Sequence, residues 1–164
     1  MRRFEFVNRD QFIQDFTSEF PDLGKEASKI YGNLTLPQRA TAYSAGYDFV
    51  SPIDFDLKPG ETIKLPTGIK VVMPHNEFLL ILPRSGQGFK YFLRLANTSG
   101  VIDADYQYAQ NDGSVWVKLR NEGTDKMLEV KAGQAIAQGI FLDYKTVDGD
   151  LALVKRVGGF GSTS

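Results

Sequence analysis

The spacing of hydrophobic and polar residues changes character near residue 47 of this chain. Beyond that point, short apolar and β-rich runs alternate with turn residues, a pattern that is typical of strands joined by tight turns. Many short strands with few helices favour an all-β sandwich or barrel. The runs predicted to be strands are residues 62–72, 77–82, 114–120, 134–144 and 151–157.

The segment before residue 47 begins with a strand pattern and continues with a helical one. Phe4 and Phe6 alternate with polar neighbours and predict a short first strand. Residues 9–31 follow a helical period, because large apolar side chains recur every four positions and form one stripe. The stripe consists of Phe12, Ile13, Phe16 and Phe20.

Local signals set the limits of this helical segment. Asn8 followed by Gln11 is typical of a capped helix start. Pro21 interrupts the run, and a second short helix is predicted over residues 22–31, before Gly32. The apolar stripe is interpreted as a face packed on the chain's own core. A surface for an unknown protein partner is the alternative.

Composition narrows the classes of function. With 164 residues and a formal net charge of −1, one domain spanning residues 1–164 is expected, without general attraction to nucleic acid or anionic membranes. The chain has no cysteine, which excludes disulfides, thiolate nucleophiles and cysteine zinc sites. The single histidine, His75, lies in a turn-like stretch and is interpreted as a surface residue, so a general base is expected to be a carboxylate. No signal peptide or membrane span is recognised, and the cytoplasm is the expected location.

Five turn-like segments concentrate the residues with chemical potential. In the second of them, Arg84 and Ser85 accompany Gly86 and Gly88. Glycine lets the backbone direct several N–H groups toward one point, and arginine adds charge-assisted hydrogen bonds, so a phosphate site is one interpretation and an ordinary turn the other. The segments are residues 45–48, 83–90, 97–106, 132–141 and the glycine-rich tail 158–164.

Two of these segments carry polar side chains whose burial would be costly. Asp103 directly follows Val101 and Ile102, and it is interpreted as a general base at the edge of a pocket, with Asp105 as the turn carboxylate. Gln138 lies in an apolar run and needs hydrogen-bond partners if it is buried. A purely structural amide is the alternative for Gln138.

Taken in this order, the five segments resemble the motifs of the trimeric dUTPase family, whose members hydrolyse dUTP to dUMP and pyrophosphate. The resemblance runs from residue 37 to residue 164, and it is the ordered set that is specific, since each motif alone is not. It implies a distorted, jelly-roll-like β-barrel, a homotrimer with three shared active sites, and Mg²⁺ bridging the triphosphate while water attacks the α-phosphate. Residues 9–31 would then be a helical insertion, and residues 158–164 a mobile tail.

The resemblance also implies a function for individual residues. Asp103 would activate the attacking water, Gln138 would help to position it, and Asp48 would support the site. Mg²⁺ would be held by the triphosphate and water, without direct protein ligands. The implied phosphate-binding residues are Arg84, Ser85, Gly86, Arg156, Ser162 and Thr163. The implied nucleoside-binding residues are Asn97, Val101 and Ile102 through their backbone, Tyr106 against the deoxyribose, and Phe160 over uracil.

Three features depart from the family pattern. The fourth motif has Gln134-Ala135 where the family usually has an arginine. Residues 107–113 replace the usual Arg-Gly-Glu and form a longer loop. Arg156 stands four residues before Phe160, whereas the family commonly spaces the two by five, the position that Lys155 occupies here. Arg156 is preferred because a guanidinium can bind phosphate with two hydrogen bonds.

Two alternative functions remain at this point. A dCTP deaminase shares the fold, although deamination needs a different set of proton-transfer groups at the base. A nucleotide-binding regulatory protein is suggested by the extra helical segment and the altered fourth motif. Measuring turnover and its products distinguishes the hydrolase, the deaminase and the regulatory protein.

Overall fold

Short strands are the commonest secondary structure in this protein, whose computed structural model describes residues 1–152, 154, 156 and 158. The strands are β1 (Arg3–Phe6), β2 (Gln38–Arg39), β3 (Tyr47–Val50), β4 (Phe55–Leu57), β5 (Thr62–Pro66), β6 (Ile69–Val72), β7 (Glu77–Leu82), β8 (Leu93–Leu95), β9 (Gly100–Asp103), β10 (Trp116–Asn121), β11 (Leu128–Val130) and β12 (Ala135–Asp143). The α-helices are α1 (Arg9–Glu19), α2 (Ala27–Gly32) and α3 (Ser85–Tyr91), and 3₁₀ helices span Pro21–Glu26 and Ala104–Tyr108. The predicted predominance of strands is therefore confirmed, whereas α3 and the 3₁₀ helix Ala104–Tyr108 are helical elements outside the predicted N-terminal segment.

The strands of this part of the chain pair into antiparallel sheets. The largest has the order β2-β3-β12-β7-β9, so that β12 lies between β3 and β7 while β9 forms an edge. A second sheet has the order β5-β10-β8, and the pairs β1-β6 and β11-β4 complete the set. Every second side chain of β7 is buried, as expected for a strand with one face on the core. None of these sheets closes into a ring of hydrogen-bonded strands within the described residues.

The run predicted as one strand over residues 62–72 is two strands. β5 and β6 are separated by Thr67 and Gly68, and Gly68 has a φ of +72°, which favours glycine. A Cβ on Gly68 would lie 2.4 Å from Cδ1 of Leu34, so glycine is also required for close packing. The Thr67 hydroxyl donates to the Val115 carbonyl at 2.6 Å and holds the bend in place. The corner lets β5 and β6 join different sheets.

The strand predicted over residues 151–157 is absent where the structure describes this range, at residues 151, 152, 154 and 156. Leu151 and Val154 are 83% and 95% exposed, so they are not packed on an apolar surface of the described residues. The apolar residues that favoured a strand therefore do not form one there. The other predicted strands are present, with ends that differ by a few residues.

The N-terminal helical segment begins with the predicted cap. The Asn8 side chain accepts a hydrogen bond from the Asp10 amide at 2.9 Å. Gln11 was expected to complete the cap, and that prediction is wrong, because its amide donates to Asp15 at 2.7 Å instead. The predicted second helix starts later than expected, since the 3₁₀ helix occupies Pro21–Glu26. None of the helices in the described part of the chain is long and apolar enough to span a membrane.

The apolar stripe of α1 packs on the chain's own core. Phe12 and Phe16 are fully buried and stack on each other with their ring centroids 5.6 Å apart. Phe20 is half-buried, 5.1 Å from the ring of Phe16. The interpretation as a core-facing helix is confirmed, and these phenylalanines are not available to a protein partner.

Candidate functional site

Three of the predicted site residues meet where β3, β7 and β12 come together. In the sheet, Gln138 of β12 lies between Asp48 of β3 and Leu82 of β7. The guanidinium Nε of Arg84, just beyond β7, lies 3.0 Å from the Asp48 carboxylate. The Gln138 amide donates to the Pro83 carbonyl at 3.0 Å. The first, second and fourth sequence segments are thus joined in one polar cluster.

Gln138 is held against the first segment by a glycine. A Cβ on Gly46 would lie 2.3 Å from Oε1 of Gln138, so any larger residue at position 46 would force the Gln138 amide to move. The amide of Gln138 is fixed on one side by the Pro83 carbonyl and on the other by this close approach. Its orientation is therefore defined by the chain itself.

The second segment is a helix and not the turn that was predicted. After Arg84 the chain forms α3, which ends at Phe92 in the left-handed conformation with a φ of +53°. Ser85 and Gly86 lie in the first turn of α3, where backbone N–H groups lack partners within a helix. Arg84, Ser85 and Gly88 border a cleft of about 460 Å³. The segment therefore has a helix start in place of the predicted turn, and phosphate binding by it stays a prediction.

The altered fourth segment has a structural explanation in part. Gln134 closes the turn before β12, because its side-chain oxygen accepts from the Lys131 amide at 2.9 Å. The carbonyl of Ala135 accepts a hydrogen bond from the Gln87 amide of α3 at 3.1 Å. The chain therefore connects the second and fourth segments through neutral hydrogen bonds at the place where the family usually has an arginine.

Asp103 stands at the end of β9 with its side chain 51% exposed. Its carboxylate pairs with the guanidinium of Arg156, which also contacts Asp105 at 2.9 Å. A cleft of about 340 Å³ opens beside these groups, and His75 lies on its wall. His75 is exposed, as predicted, but the sequence did not indicate that the turn before β7 would bring it next to Asp103.

The edge strand β9 presents backbone groups that no other strand uses. Its partner β7 pairs with one side only, and in an antiparallel pair alternate residues direct N–H and C=O groups away from the partner. Ile102 is buried, so only its backbone is accessible, whereas Val101 is 57% exposed. Asn97, in the turn before β9, lines a cavity of about 370 Å³ together with Trp116. The strand thus offers donors and acceptors in a fixed row.

Tyr106 is buried behind this strand. Its hydroxyl donates to the Ser114 carbonyl at 2.9 Å and accepts a hydrogen bond from the Asn111 amide at 2.8 Å. Burial raises the pKa of Tyr106, so the phenol remains neutral and acts as a donor. The Arg156 guanidinium lies over the ring, 5.7 Å from its centroid. A ligand reaching that face of the ring must displace Arg156.

The two halves of the predicted site lie at opposite ends of β7. Asp103 pairs with Phe78 near the start of β7, whereas Arg84 and Gln138 lie beyond or beside Leu82 at its end. A strand rises about 3.4 Å per residue, so the four steps from Phe78 to Leu82 amount to about 14 Å. One chain therefore does not bring the predicted general base to the predicted phosphate-binding cluster.

The remaining predicted site residues lie outside the described residues: Phe160, Ser162 and Thr163, together with Lys155, the alternative to Arg156. Within the described part of the chain, no three histidine, aspartate or glutamate side chains are grouped so that they could hold a metal ion.

Comparison with known proteins adds an independent line of evidence. A family model described as dUTPase matches residues 32–164. The deoxyuridine 5'-triphosphate nucleotidohydrolase of Lactococcus lactis subsp. lactis is 38% identical over 133 residues, which cover 79% of this chain and 88% of that protein. The same enzyme of Mannheimia succiniciproducens is 37% identical over 142 residues, covering 82% and 90%.

Solved structures give the same likeness. The crystal structure of dUTPase from Streptococcus mutans has a TM-score of 0.62 at 36% identity and covers 70% of this chain and 89% of that one. The dUTPase from phage phi11 of S. aureus has a TM-score of 0.64 and covers 99% of both chains. At 19% identity the second likeness is one of fold, and it extends over the N-terminal segment.

Proposed function

The chain belongs to the dUTPase family, and from this premise we propose that it hydrolyses dUTP to dUMP and pyrophosphate. The observation that carries the proposal is strand β9, which combines a free backbone edge with an exposed carboxylate at its end. The four residues of such a strand can recognise a base through their backbone and activate water through the carboxylate at their end. No feature of the described residues favours a deaminase or a pure nucleotide-binding protein over this function. We place the activity in the cytoplasm.

Asp103 is the proposed general base. It would accept a proton from a water molecule whose oxygen attacks the α-phosphorus, while the bond from that phosphorus to the bridging oxygen breaks and pyrophosphate leaves. Gln138 would orient this water, since its amide is already fixed by the backbone. Arg156 pairs with Asp103 in the free chain, and phosphate oxygens of the nucleotide would compete for this guanidinium. Nucleotide binding would thereby free the Asp103 carboxylate to act as the base.

The phosphate chain would lie along α3. Arg84 supplies charge, Ser85 a hydroxyl, and Gly86 an unobstructed backbone N–H group. Asp48 supports the site by holding the Arg84 guanidinium at 3.0 Å, which fixes its direction. Arg156, Ser162 and Thr163 are proposed to contact the terminal phosphates. Positioning of this kind is the main protein contribution to phosphoryl chemistry.

The nucleoside would bind along β9. Uracil carries acceptor, donor and acceptor groups on its pairing edge, and the backbone of Val101 and Ile102 with the Asn97 amide can match them. Tyr106 would pack against the deoxyribose, on the ring face that Arg156 covers in the free chain. Phe160 would stack over the base, since any base offers a flat apolar face.

Mg²⁺ fits this site as an ion carried by the substrate. The described residues provide no cluster of three metal-binding side chains, while Mg²⁺ readily keeps phosphate oxygens and water as ligands. The ion would neutralise negative charge on the triphosphate. A phage phi11 dUTPase is described with a structural Mg(II) ion, and for this chain we propose only the ion that accompanies dUTP.

A homotrimer with shared sites is proposed because the two halves of the predicted site lie far apart within one chain. Asp103 and the Arg84 cluster are about 14 Å or more apart along β7, so Asp103 of one subunit would face Arg84 and Gln138 of another. Closed cyclic symmetry repeats such a contact without leaving a free site. Within each subunit, we propose that the four sheets are sectors of a distorted, jelly-roll-like barrel.

Light scattering on the purified protein tests the assembly. A mass of about three times the 18.3 kDa of one chain is expected, with activity confined to this species. A monomer that turns over dUTP at full rate would contradict the shared site, because it would place the whole catalytic set in one chain.

Steady-state kinetics with dUTP, UTP and dCTP test the function and its specificity together. We expect pyrophosphate release from dUTP and at least about 10²-fold lower kcat/KM for UTP and dCTP, because cytosine leaves polar groups of the site unpaired and a 2′-hydroxyl clashes with Tyr106. Ammonia as a product would identify a deaminase. Binding without turnover would identify a regulatory protein.

A further inference from the structure

Two carboxylates that the proposed chemistry does not use are almost fully enclosed among the described residues: Glu77, which pairs with Arg2, and Asp15, whose side-chain hydrogen-bond partners there are uncharged. Asp15 of α1 is 8% exposed and lies on the face of the helix that carries Phe12 and Phe16. Its two oxygens accept hydrogen bonds from the Gln11 amide and from the Ser114 hydroxyl, both at 2.7 Å. Burying a carboxylate is costly, and apolar residues of similar size often give equal or greater stability. A role in fixing one arrangement explains its presence better than a role in stability.

The partner of Asp15 is also the anchor of Tyr106. The hydroxyl of Ser114 donates to Asp15, and the carbonyl of the same residue accepts the hydrogen bond from Tyr106 at 2.9 Å. Ser114 is fully buried, so water does not replace either bond. A continuous chain of hydrogen bonds therefore leads from α1 to the phenol that lies behind the edge strand.

A second connection ties α1 to the loop that follows Tyr106. The Asp112 carboxylate accepts from the Asn8 amide at 2.5 Å and from the Lys70 ammonium at 3.0 Å. Asp112 has a φ of +54°, in the left-handed region that non-glycine residues adopt infrequently, although aspartate does so more often than most. The next residue, Gly113, packs so tightly that a Cβ would lie 3.0 Å from the Tyr106 carbonyl. The loop thus transmits the position of α1 to Tyr106.

These contacts connect two departures from the family pattern that the sequence presents separately. The longer loop 107–113 contacts the start of the helical segment, because Asp112 accepts a hydrogen bond from the backbone N–H of Asn8, the residue that caps α1. Just after the loop, Ser114 donates to Asp15 of α1. Without the helical segment, the Asp112 carboxylate would keep only its contact with Lys70, and the Ser114 hydroxyl would lose its acceptor. The two departures form one structural unit.

We propose that α1 positions Tyr106 for the discrimination between deoxyribose and ribose, with Asp15 as the positioning residue that acts through Ser114. The inference rests on the proposed function, in which Tyr106 contacts the sugar. A ring held firmly excludes the 2′-hydroxyl, whereas a ring that can shift accommodates it. Small displacements of positioned groups have large effects on rate, so loss of the Asp15 bond is expected to reach the selectivity for the sugar.

The test compares the ratio of kcat/KM for dUTP to kcat/KM for UTP in matched variants. Asp15→Ala removes both acceptors, and we expect the ratio to fall about 10-fold. Asp15→Asn keeps an oxygen for Ser114, because Gln11 can turn its amide to accept from the new nitrogen, so the ratio should remain near that of the unmodified chain. Asp10→Ala removes an exposed charge from the same helix and should leave the ratio unchanged.

A double variant separates positioning from general destabilisation. If Asp15 acts through the phenol, Asp15→Ala combined with Tyr106→Phe should show no lower ratio than Tyr106→Phe alone. A folded Asp15→Ala protein with a lowered melting temperature and an unchanged ratio would overturn the proposal. Should Asp15→Ala not fold, Ser114→Ala removes the same bond from the other side, and its ratio decides.

Calorimetric binding of dUMP and UMP measures the selectivity for the sugar as a ratio of dissociation constants, without catalysis. This measurement distinguishes the two levels of inference, since an unmodified chain that binds dUMP in preference to UMP but releases no pyrophosphate refutes the hydrolytic function alone. A preference that Asp15→Ala leaves intact refutes the positioning by α1 alone. Failure of the unmodified chain to prefer dUMP refutes the positioning as well.

Discussion

Asp103→Asn is expected to lower kcat for dUTP by about 10²–10⁴-fold, the usual contribution of a general base, and to leave nucleotide affinity nearly unchanged. The amide keeps the size of the side chain and loses the capacity to accept a proton. Single-turnover hydrolysis together with equilibrium binding of a non-hydrolysable dUTP analogue measures the two effects separately.

Asp105→Asn is the matched control for this experiment. Both carboxylates contact the same guanidinium, that of Arg156, so each substitution removes one negative charge beside it. An effect that arose from the electrostatics of Arg156 would appear in both variants. We expect the loss of turnover in Asp103→Asn only, and similar losses in the two variants would remove the assignment of Asp103 as the base.

A chain ending at Val157 is expected to fold and to form the same oligomer, yet to lose most of its turnover. Among the described residues, the last one in the core is Ala137 and the last one packed against it is Phe141, so truncation after Val157 removes neither. What it removes are Phe160, Ser162 and Thr163, the residues proposed to cover uracil and the terminal phosphates. Aromatic stacking on a base is worth about 1–3 kcal/mol, and exclusion of bulk water strengthens each remaining contact.

Circular dichroism, light scattering and pyrophosphate release on the truncated chain test this expectation. Phe160→Ala in the full-length chain is the intermediate case, since it keeps the hydroxyl residues, and it should retain more activity than the truncation. Phe160→Trp should report closure by a change in fluorescence when the dUTP analogue binds. A truncated chain with the full rate would show that residues 158–164 do not cover the site.

The local features of the fold could be predicted from the sequence where a single residue decides them. Asn8 caps α1 because a side-chain acceptor at a helix start needs only its own neighbours. β7 spans the predicted residues 77–82, since alternating burial marks a strand with one face on the core. The split at Gly68 was missed, because the bend depends on Leu34 and Val115, which are distant in the sequence.

The geometry of the site depended on tertiary structure that no motif encodes. The segment after Arg84 has two glycines, which predict a turn, yet it forms α3. The side-chain amide of Gln87 in this helix donates a hydrogen bond to the Ala135 carbonyl. Asp15 sits in a helical stripe and gives no sign that it will meet Ser114, 99 residues later. Motif order therefore supplied the candidate residues, and the strand pairing determines which of them meet in one chain.

The edge of β9 carries a consequence for the behaviour of the protein in solution. A strand edge with unpaired N–H and C=O groups can form hydrogen bonds with a base or with another strand, and exposed edges of this kind favour aggregation. β9 is only four residues long, ends in a charged residue and has the exposed Val101 as its large apolar side chain. Short length and a terminal charge are the means by which natural sheets limit such pairing. The charge of Asp103 thus has an effect that does not depend on its proposed function as a base, because it disfavours pairing of the β9 edge with a strand of a neighbouring molecule.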